Sequence, residues 1–310
     1  MYNVFIDGKD GTTGLQIYER LGKRKDVNLI TLPEDKRKDE KYRAECLNSS
    51  DISFLCLPDE AAKQSVSLVK NPEVRIIDAS TAHRTNPEWV YGFPEISAKR
   101  REEIAGTKRL ANPGCYATGF ISIVAPLVKK GLVSPDYPFV AQGISGYSGA
   151  GKKAIAIYES EQRDAEFDSP RHYALGLAHK HLPEMVKECG LNHRPIFTPV
   201  ICDFYCGMTV TVPLYIGLMN KKADYNSVRE FFTEYYARQN YVKVARKEEI
   251  PLFLAANSLA GTNYLKIFIN GNDEQIFISA VLDNLGKGAS GAAVQNMNIM
   301  LALDERVSLD

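Results

Sequence analysis

The chain has 310 residues, 45% apolar and 25% charged, proportions of an ordinary globular protein long enough for two domains. Its 38 Lys and Arg balance its 38 Asp and Glu, so no overall field draws it to nucleic acid or to an anionic membrane. No apolar run is long enough to span a bilayer, and the apolar stretch Met1 to Ile6 is too short for a signal peptide.

The predicted elements begin with a strand, Tyr2 to Ile6, and a helix carrying Leu15, Ile17, Tyr18 and Leu21. Between them runs Gly8-Lys9-Asp10-Gly11-Thr12-Thr13-Gly14. Strand, glycine turn and helix is how a dinucleotide-binding fold starts: glycine admits a pyrophosphate, and the helix N-terminus stabilises its charge. The spacing is GxxGxxG rather than GxGxxG, and an ordinary strand-to-helix turn is the alternative. A second strand, Val27 to Leu32, leads to Glu34 and Asp35 and then Lys36-Arg37-Lys38. That basic run suits a 2′-phosphate, and so NADP; a solvated charged loop is the other reading.

Ile52 to Leu57 reads as a strand buried on both faces, and Pro58 opens a helix with Ala61, Ala62, Val66 and Val69. Val74 to Ala79 is a further strand ending in Ser80-Thr81-Ala82-His83-Arg84, and Leu110-Ala111 is another. Strands alternating with helices imply a doubly wound sheet, which binds ligands at the carboxyl ends of its strands. Gly8, Pro58, Ser80 and Cys115 all follow such ends.

Asn112, Pro113 and Gly114 mark a turn, and apolar residues from Phe120 to Val128 recur at helical spacing. Cys115 therefore sits at or just before a helix N-terminus, where thiolate is favoured. A thiolate attacks acyl carbon; the alternative is a small buried hydrophobe. The six cysteines, at 46, 56, 115, 189, 202 and 206, include no CxxC pair, and Cys202 and Cys206 lack partners for a zinc site. Reduced thiols, a cytoplasmic location and no metal are expected. Beyond Phe139 the pattern changes. Met208 to Leu214 alternates as a half-buried strand, and Ile276 to Leu282 is another, which suggests a largely antiparallel mixed sheet in a second domain. Asp283 to Gly291 reads as a loop and Ala292 to Leu303 as a helix packing back on the first domain.

Four segments occur in order: Asn112-Pro113-Gly114-Cys115-Tyr116 with Thr118; Ser145-Gly146-Tyr147-Ser148-Gly149-Ala150-Gly151; His179-Lys180-His181-Leu182-Pro183-Glu184; and Asn284 to Asn296 with its glycine-rich start. With them the chain resembles the N-acetyl-gamma-glutamyl-phosphate reductase family, in the shorter of its two types, from Gly8 to Asn298. The resemblance implies kinship with aspartate-semialdehyde and glyceraldehyde-3-phosphate dehydrogenases. It implies a Rossmann domain (1–114 and 285–310), an α+β substrate and oligomerisation domain (115–284), a C-terminal helix returning to the first domain, and a homodimer or homotetramer.

It also implies NADPH-dependent reduction of an acyl phosphate to an aldehyde, in arginine biosynthesis, with Cys115 as nucleophile. A thioester divides one hard step into two. Among the five histidines, His181 is the first candidate acid/base and His179 the alternate; an extended backbone would turn both to one face. Gly8, Gly11, Thr12, Thr13, Gly14, Pro58, Ser80, Ser148, Gly149 and Asn284 are expected at the cofactor. Arg84, Asn112, Ser145 and Gly146 are expected at the anionic small-molecule substrate, with Arg171, Lys180, Lys152 and Lys153 as weaker cationic candidates.

Overall fold

The computed structural model describes residues 1–37, 39–220 and 223–310, so Lys38 of the basic run lies outside the described residues. The chain divides into two units, Met1–Gly114 with Ala289–Asp310, and Cys115–Gly288.

The first unit alternates β1 (Tyr2–Asp7), α1 (Thr12–Leu21), β2 (Val27–Ile30), α2 (Glu40–Ser49), β3 (Ile52–Leu55), α3 (Asp59–Leu68), β4 (Arg75–Asp78), β5 (Val90–Tyr91), α4 (Ala98–Gly106) and β6 (Arg109–Ala111). The six strands form one sheet in the order β2-β1-β3-β4-β6-β5, and every pairing is parallel. Crossover helices cover such a sheet, which is why Ile52 to Leu55 is buried at every residue. The order reverses at β1: β2 lies on one side and β3 on the other. The crevice at their carboxyl ends is where doubly wound folds bind nucleotides.

Three strands stop short of expectation: β2 at Ile30, β3 at Leu55 and β4 at Asp78. On the edge strand β2, Leu32 precedes Pro33, which has no N–H to donate. After β3 and β4 the ladder persists for one bond each, Cys56 N to Asp7 O at 2.8 Å and Ala79 N to Leu55 O at 2.9 Å. The chain then turns away, freeing residues at the crevice.

A buried ion pair ties the end of β1 to the helices. Arg43 Nε and Nη2 donate to Oδ2 of Asp7 at 3.2 and 3.0 Å, and Ser65 Oγ donates to the same oxygen at 2.8 Å. Both charged side chains are under a tenth exposed, so neither has water to fall back on.

The second unit begins with α5 (Cys115–Lys129), β7 (Val140–Gly146), α6 (Lys152–Tyr158), β8 (Arg171–His172), α7 (Leu182–Cys189) and β9 (Ile196–Cys202). It continues with β10 (Met208–Tyr215), α8 (Tyr225–Tyr236), β11 (Val242–Val244), β12 (Leu265–Gly271) and β13 (Gln275–Leu282). Seven strands run in the order β11-β12-β13-β10-β7-β9-β8, and four of the six pairings are antiparallel. Helix α5 is buried from Tyr116 to Leu127 and rests on β10 and β13. It sits so close that a Cβ on Gly119 would lie 2.7 Å from Cγ2 of Val210, and one on Gly143 2.5 Å from the Tyr116 ring. Strand β10 is not half-buried as its alternation suggests. Met208 to Val212 are all buried, because β10 is central, and Thr211 Oγ1 pairs with Ser279 Oγ at 2.9 Å.

The last helix, α9 (Gly291–Met300), belongs to the first unit and packs with α1, α4 and β4. It ends at Met300 rather than Leu303, where Ala302 takes a left-handed φ of 56°. Gly286–Ser290 is a π-helical turn rather than a loop. The Asp283 carboxylate caps it, accepting from the N–H of Leu285 at 2.7 Å and of Gly286 at 3.1 Å. Arg43→Met strands the Asp7 carboxylate and is expected to cost about 3–5 kcal/mol in urea unfolding; a loss below about 1 kcal/mol would show that the pair does not hold the β1 end.

Candidate active site

In the first unit the site grows from the turn after β1. Gly8 has φ 87°, and a Cβ there would strike the Cys56 carbonyl; a Cβ on Gly14 would strike the carbonyl of Gly8. Backbone thus meets backbone at the β1/β3 crevice. Beside it lies a cavity of about 170 Å³ lined by Gly11, Thr12, Thr13, Gly14, Cys56, Leu57 and Ala79. The N-cap of α1 is Gly11, which offers no side-chain acceptor to the first-turn N–H groups. They face the cavity's glycine wall with the helix's positive end, so these residues fit a dinucleotide pyrophosphate. Four of the expected cofactor residues line this cavity. Cys56, Leu57 and Ala79 join them because β3 and β4 end one or two residues sooner than the apolar runs predict.

Pro58 is the N-cap of α3. Ser80 is buried, and its N–H and Oγ both donate to the Asp78 carboxylate, at 2.9 and 2.8 Å. The same carboxylate holds His83 Nδ1 at 2.6 Å, and the His83 ring stacks on Trp89 with centroids 4.0 Å apart. Arg84 is buried; its Nε donates to the Asn112 carbonyl at 2.9 Å and its Nη2 to that of Ala79 at 3.0 Å. Asn112 in turn donates to the Ala289 carbonyl at 3.0 Å and accepts from Asn296 at 3.3 Å. Arg84 and Asn112 therefore brace the turn that precedes Cys115 in the chain. In the basic run, Lys36 Nζ lies 5.3 Å from the centre of the Tyr42 ring, and Arg37 reaches the Asp10 carboxylate at 3.4 Å.

In the second unit Cys115 is the first residue of α5, at its positive end. A Cβ on Gly288 would come within 2.7 Å of the Cβ of Cys115, so bare main chain lies beside the thiol. The next residue, Tyr116, places its ring 5.6 Å from that of His179, 6.1 Å from that of His181 and 5.2 Å from that of Phe197. The two imidazoles are T-shaped at 4.7 Å. His179-Lys180-His181 is not extended: His181 is the N-cap of α7 with φ −86° and ψ −10°. The tight turn, rather than a strand's alternation, brings the rings together, and the His181 N–H donates to Nδ1 of His179 at 3.1 Å.

Burial pushes the Tyr116 phenol well up, with Tyr173 and Cys115 adding to it. Burial also raises Tyr173, whose hydroxyl lies 3.4 Å from Nε2 of His179. Both stay neutral at physiological pH. Tyr173 lies in a connecting segment and gives no periodic signal. Ser145 is buried and donates to the Gly146 carbonyl at 3.0 Å. Asn284 accepts from the Gly207 N–H at 2.8 Å and donates to Ser148 Oγ at 3.0 Å, and Gly149 abuts its side chain. Ser145, Gly146, Ser148, Gly149 and Asn284 thus form one neighbourhood. Arg171 lies 3.7 Å over the Phe167 ring with its Nη2 on the Tyr158 hydroxyl. Lys152, Lys153 and Lys180 are exposed. No metal-holding group of His, Cys, Asp or Glu occurs among the described residues.

Two family models match: the semialdehyde dehydrogenase NAD-binding domain over residues 3–106, and the semialdehyde dehydrogenase dimerisation domain over residues 115–284. The N-acetyl-gamma-glutamyl-phosphate reductase 2 of Nostoc sp. is 45% identical, over 99% of this chain and 98% of that protein. The N-acetyl-gamma-glutamyl-phosphate reductase of Burkholderia cenocepacia is 46% identical over 96% of each. Among solved structures, aspartate semialdehyde dehydrogenase II of Vibrio cholerae matches with TM-score 0.72 at 16% identity, over 97% of this chain and 98% of that one. The aspartate semialdehyde dehydrogenase of Candida albicans, solved with NADP, matches with TM-score 0.71 at 13% identity, over 97% and 99%. The solved structures share the fold; with a parallel nucleotide sheet, a helix-borne cysteine and full-length relatives at this identity, the chain belongs to the N-acetyl-gamma-glutamyl-phosphate reductases of the semialdehyde dehydrogenase family.

Proposed function

We propose that this chain reduces N-acetyl-gamma-glutamyl phosphate to N-acetylglutamate 5-semialdehyde and phosphate with NADPH, through a thioester on Cys115, in arginine biosynthesis. The observation that carries this reading is the seat of Cys115, first residue of a buried helix and next to a cluster of imidazole and phenol groups.

The helix dipole favours the Cys115 thiolate, and an imidazole of the His179–His181 pair, His181 in the first place, accepts the thiol proton. The thiolate attacks the acyl carbon, the C–O bond to phosphate breaks, and phosphate leaves with its electron pair. The N–H groups of Gly146, Tyr147, Ser148 and Gly151 already donate to main-chain carbonyls, so the positive end of α5 stabilises the negative oxygen, and Ser145 and Gly146 border the acyl group. NADPH, held by Gly8, Gly11, Thr12, Thr13, Gly14, Pro58 and Ser80, with Lys36 and Arg37 for its 2′-phosphate and Ser148, Gly149 and Asn284 on its nicotinamide side, supplies the hydride when bound. The imidazolium protonates the oxygen of the reduced adduct. It then takes that proton back as the C–S bond breaks, releasing the aldehyde and regenerating the thiolate. Arg84 and Asn112 serve the substrate through the turn before the nucleophile, which they hold by the hydrogen bonds described above.

The second unit also supports a self-association surface. Gly143 faces α5, so Val140 and Gln142 point away from it. Register then puts Ile196, Pro213, Tyr215 and Phe277 on that outer face, and most of these side chains are exposed. They border a cavity of about 490 Å³ that includes Val140, Pro213, Tyr215 and Phe277. A second copy of this chain covers it in a homodimer, or twice over in a homotetramer; the dimerisation-domain match spans these strands. No helix among the described residues is long and apolar enough to cross a membrane. None of the six cysteines is in a disulfide, in keeping with a cytoplasmic location.

In the reverse direction, N-acetylglutamate semialdehyde, phosphate and NADP are expected to yield NADPH absorbance that disappears in Cys115→Ala. Signal with aspartate semialdehyde instead would reassign the substrate, and silence with both from folded, NADPH-binding protein would make the chain non-catalytic. Gly14→Ala is expected to weaken NADPH binding at least about tenfold by fluorescence titration, since its methyl displaces the Gly8 carbonyl from the cradle. Phe277→Asp is expected to shift the sedimenting species toward monomer; an unchanged mass would rule out this face.

A further inference from the structure

One apolar feature of the second unit has no part in the chemistry above. Between β11 and β12 the chain carries no charged residue from Ile250 to Tyr264. Leu252 and Phe253, adjacent in that run, are 90% and 85% exposed. Single apolar side chains on a surface need no explanation, but two neighbours held out from a braced loop do. On one side of them Glu249 accepts from the Arg246 N–H at 2.9 Å and pairs with Lys266 of β12 at 3.1 Å. Pro251 fixes the backbone angle just before the pair. On the other side Leu254, with Leu259, packs on Phe268 and Val281.

Register settles which face of the sheet this is. Leu282 lies near Gly119 on the side of α5, so Val281, Ser279 and Phe277 point the other way. Leu254 therefore rests on the outer face at the carboxyl end of β13, and Leu252 and Phe253 stand out beside it. The cavity of about 490 Å³ opens on the same face at the other end, where Gly271 and Asn272 leave β12 and Gln275 to Phe277 begin β13. Val281 and Phe277 are four residues apart, about 13–14 Å along the strand. None of the described residues lining the cavity is charged. Tip and cavity thus share two strands, one face and one chemistry, at opposite ends.

Two copies packed through this face are related by a two-fold axis lying between their sheets. An axis along the strands sets each end of the face beside the same end of the partner and keeps the tip away from the cavity. An axis across the strands reverses the partner's strands and lays its β12 and β13 over the same two strands. Each tip then meets the other copy's cavity, twice over in one dimer. Only this arrangement fills the cavity with apolar side chains, and the cores of stable interfaces are packed as densely as protein interiors.

We infer that Leu252 and Phe253 are the knob of the self-association face: they enter the apolar cavity of a second copy of this chain, with the strands of the two sheets running in opposite directions. This rests on the reading of that face as the self-association surface.

The test is sedimentation of the full-length protein over a range of concentrations. It compares the parent with Phe253→Asp and with two independent cavity variants, Tyr215→Asp and Phe277→Asp, each checked for folding by circular dichroism. Phe253→Asp is expected to raise the dissociation constant at least about thirtyfold, as the cavity variants do. Phe253→Asp is then mixed with a folded cavity variant. The mixed dimer joins an unaltered tip to an unaltered cavity in one of its two contacts, so the mixture is expected to associate more tightly than either variant alone. Tip-to-tip packing gives no such gain, and its absence would overturn the inference. Cavity variants that dissociate while Phe253→Asp keeps the parent's mass would defeat the knob alone and leave the face as the interface. A parent that sediments as a monomer throughout would defeat the self-association reading and the knob with it.

Discussion

The close seating of α5 on its sheet is the constraint from which the chemical half of this protein follows. Gly119 and Gly143 leave no room for a side chain between helix and strands. The Val210 side chain and the Tyr116 ring fill that space instead, so the helix has one place to lie. Its N-terminus, and therefore Cys115, is fixed by packing rather than by a flexible loop. A nucleophile gains from such preorganisation because its orientation is settled before substrate arrives. The same packing delivers Tyr116 to the imidazole pair.

The nucleotide half answers to a different constraint. The chain must turn sharply after β1 while β3 passes alongside, and Gly8 and Gly14 let main chain lie against main chain there. Asp7 ends the strand with a buried charge, which Arg43 neutralises from α2 and Ser65 hydrogen-bonds from α3. Polar groups recur at the other strand ends: Asp78 gathers Ser80 and His83, and Arg84 ties Ala79 to Asn112. The crevice is held by directional bonds because its own walls are mostly backbone.

Buried polar side chains here act chiefly on main chain. Asn284 joins Ser148 to Gly207, Asp283 caps the turn before α9, and Asn296 holds Asn112 and Gly92. Several of these residues belong to the segments that carry the family resemblance. Their identity is explained by the loops they hold as much as by any ligand, since each unsatisfied buried group would cost on the order of 1–3 kcal/mol.

Local pattern was enough for the nucleotide fold: apolar runs of strand length, helices at 3.6-residue spacing and a glycine turn after the first strand survive in any context. It was also enough to put Cys115 at a helix start, because turn formers and the helical repeat are both local. It did not reach the ends of β3 and β4, where apolar residues leave the sheet to line a cavity, nor the burial of β10, which depends on its central position. The imidazole pair shows the division most clearly. Sequence put His179 and His181 two apart, but a strand, a helix or a turn would aim them differently. Only the start of α7 decided that the backbone turns, and only the rings of Tyr116 and Phe197, packed against the imidazoles, set their surroundings. Those partners are distant along the chain, and their meeting is a property of the packed fold, which no local spacing encodes.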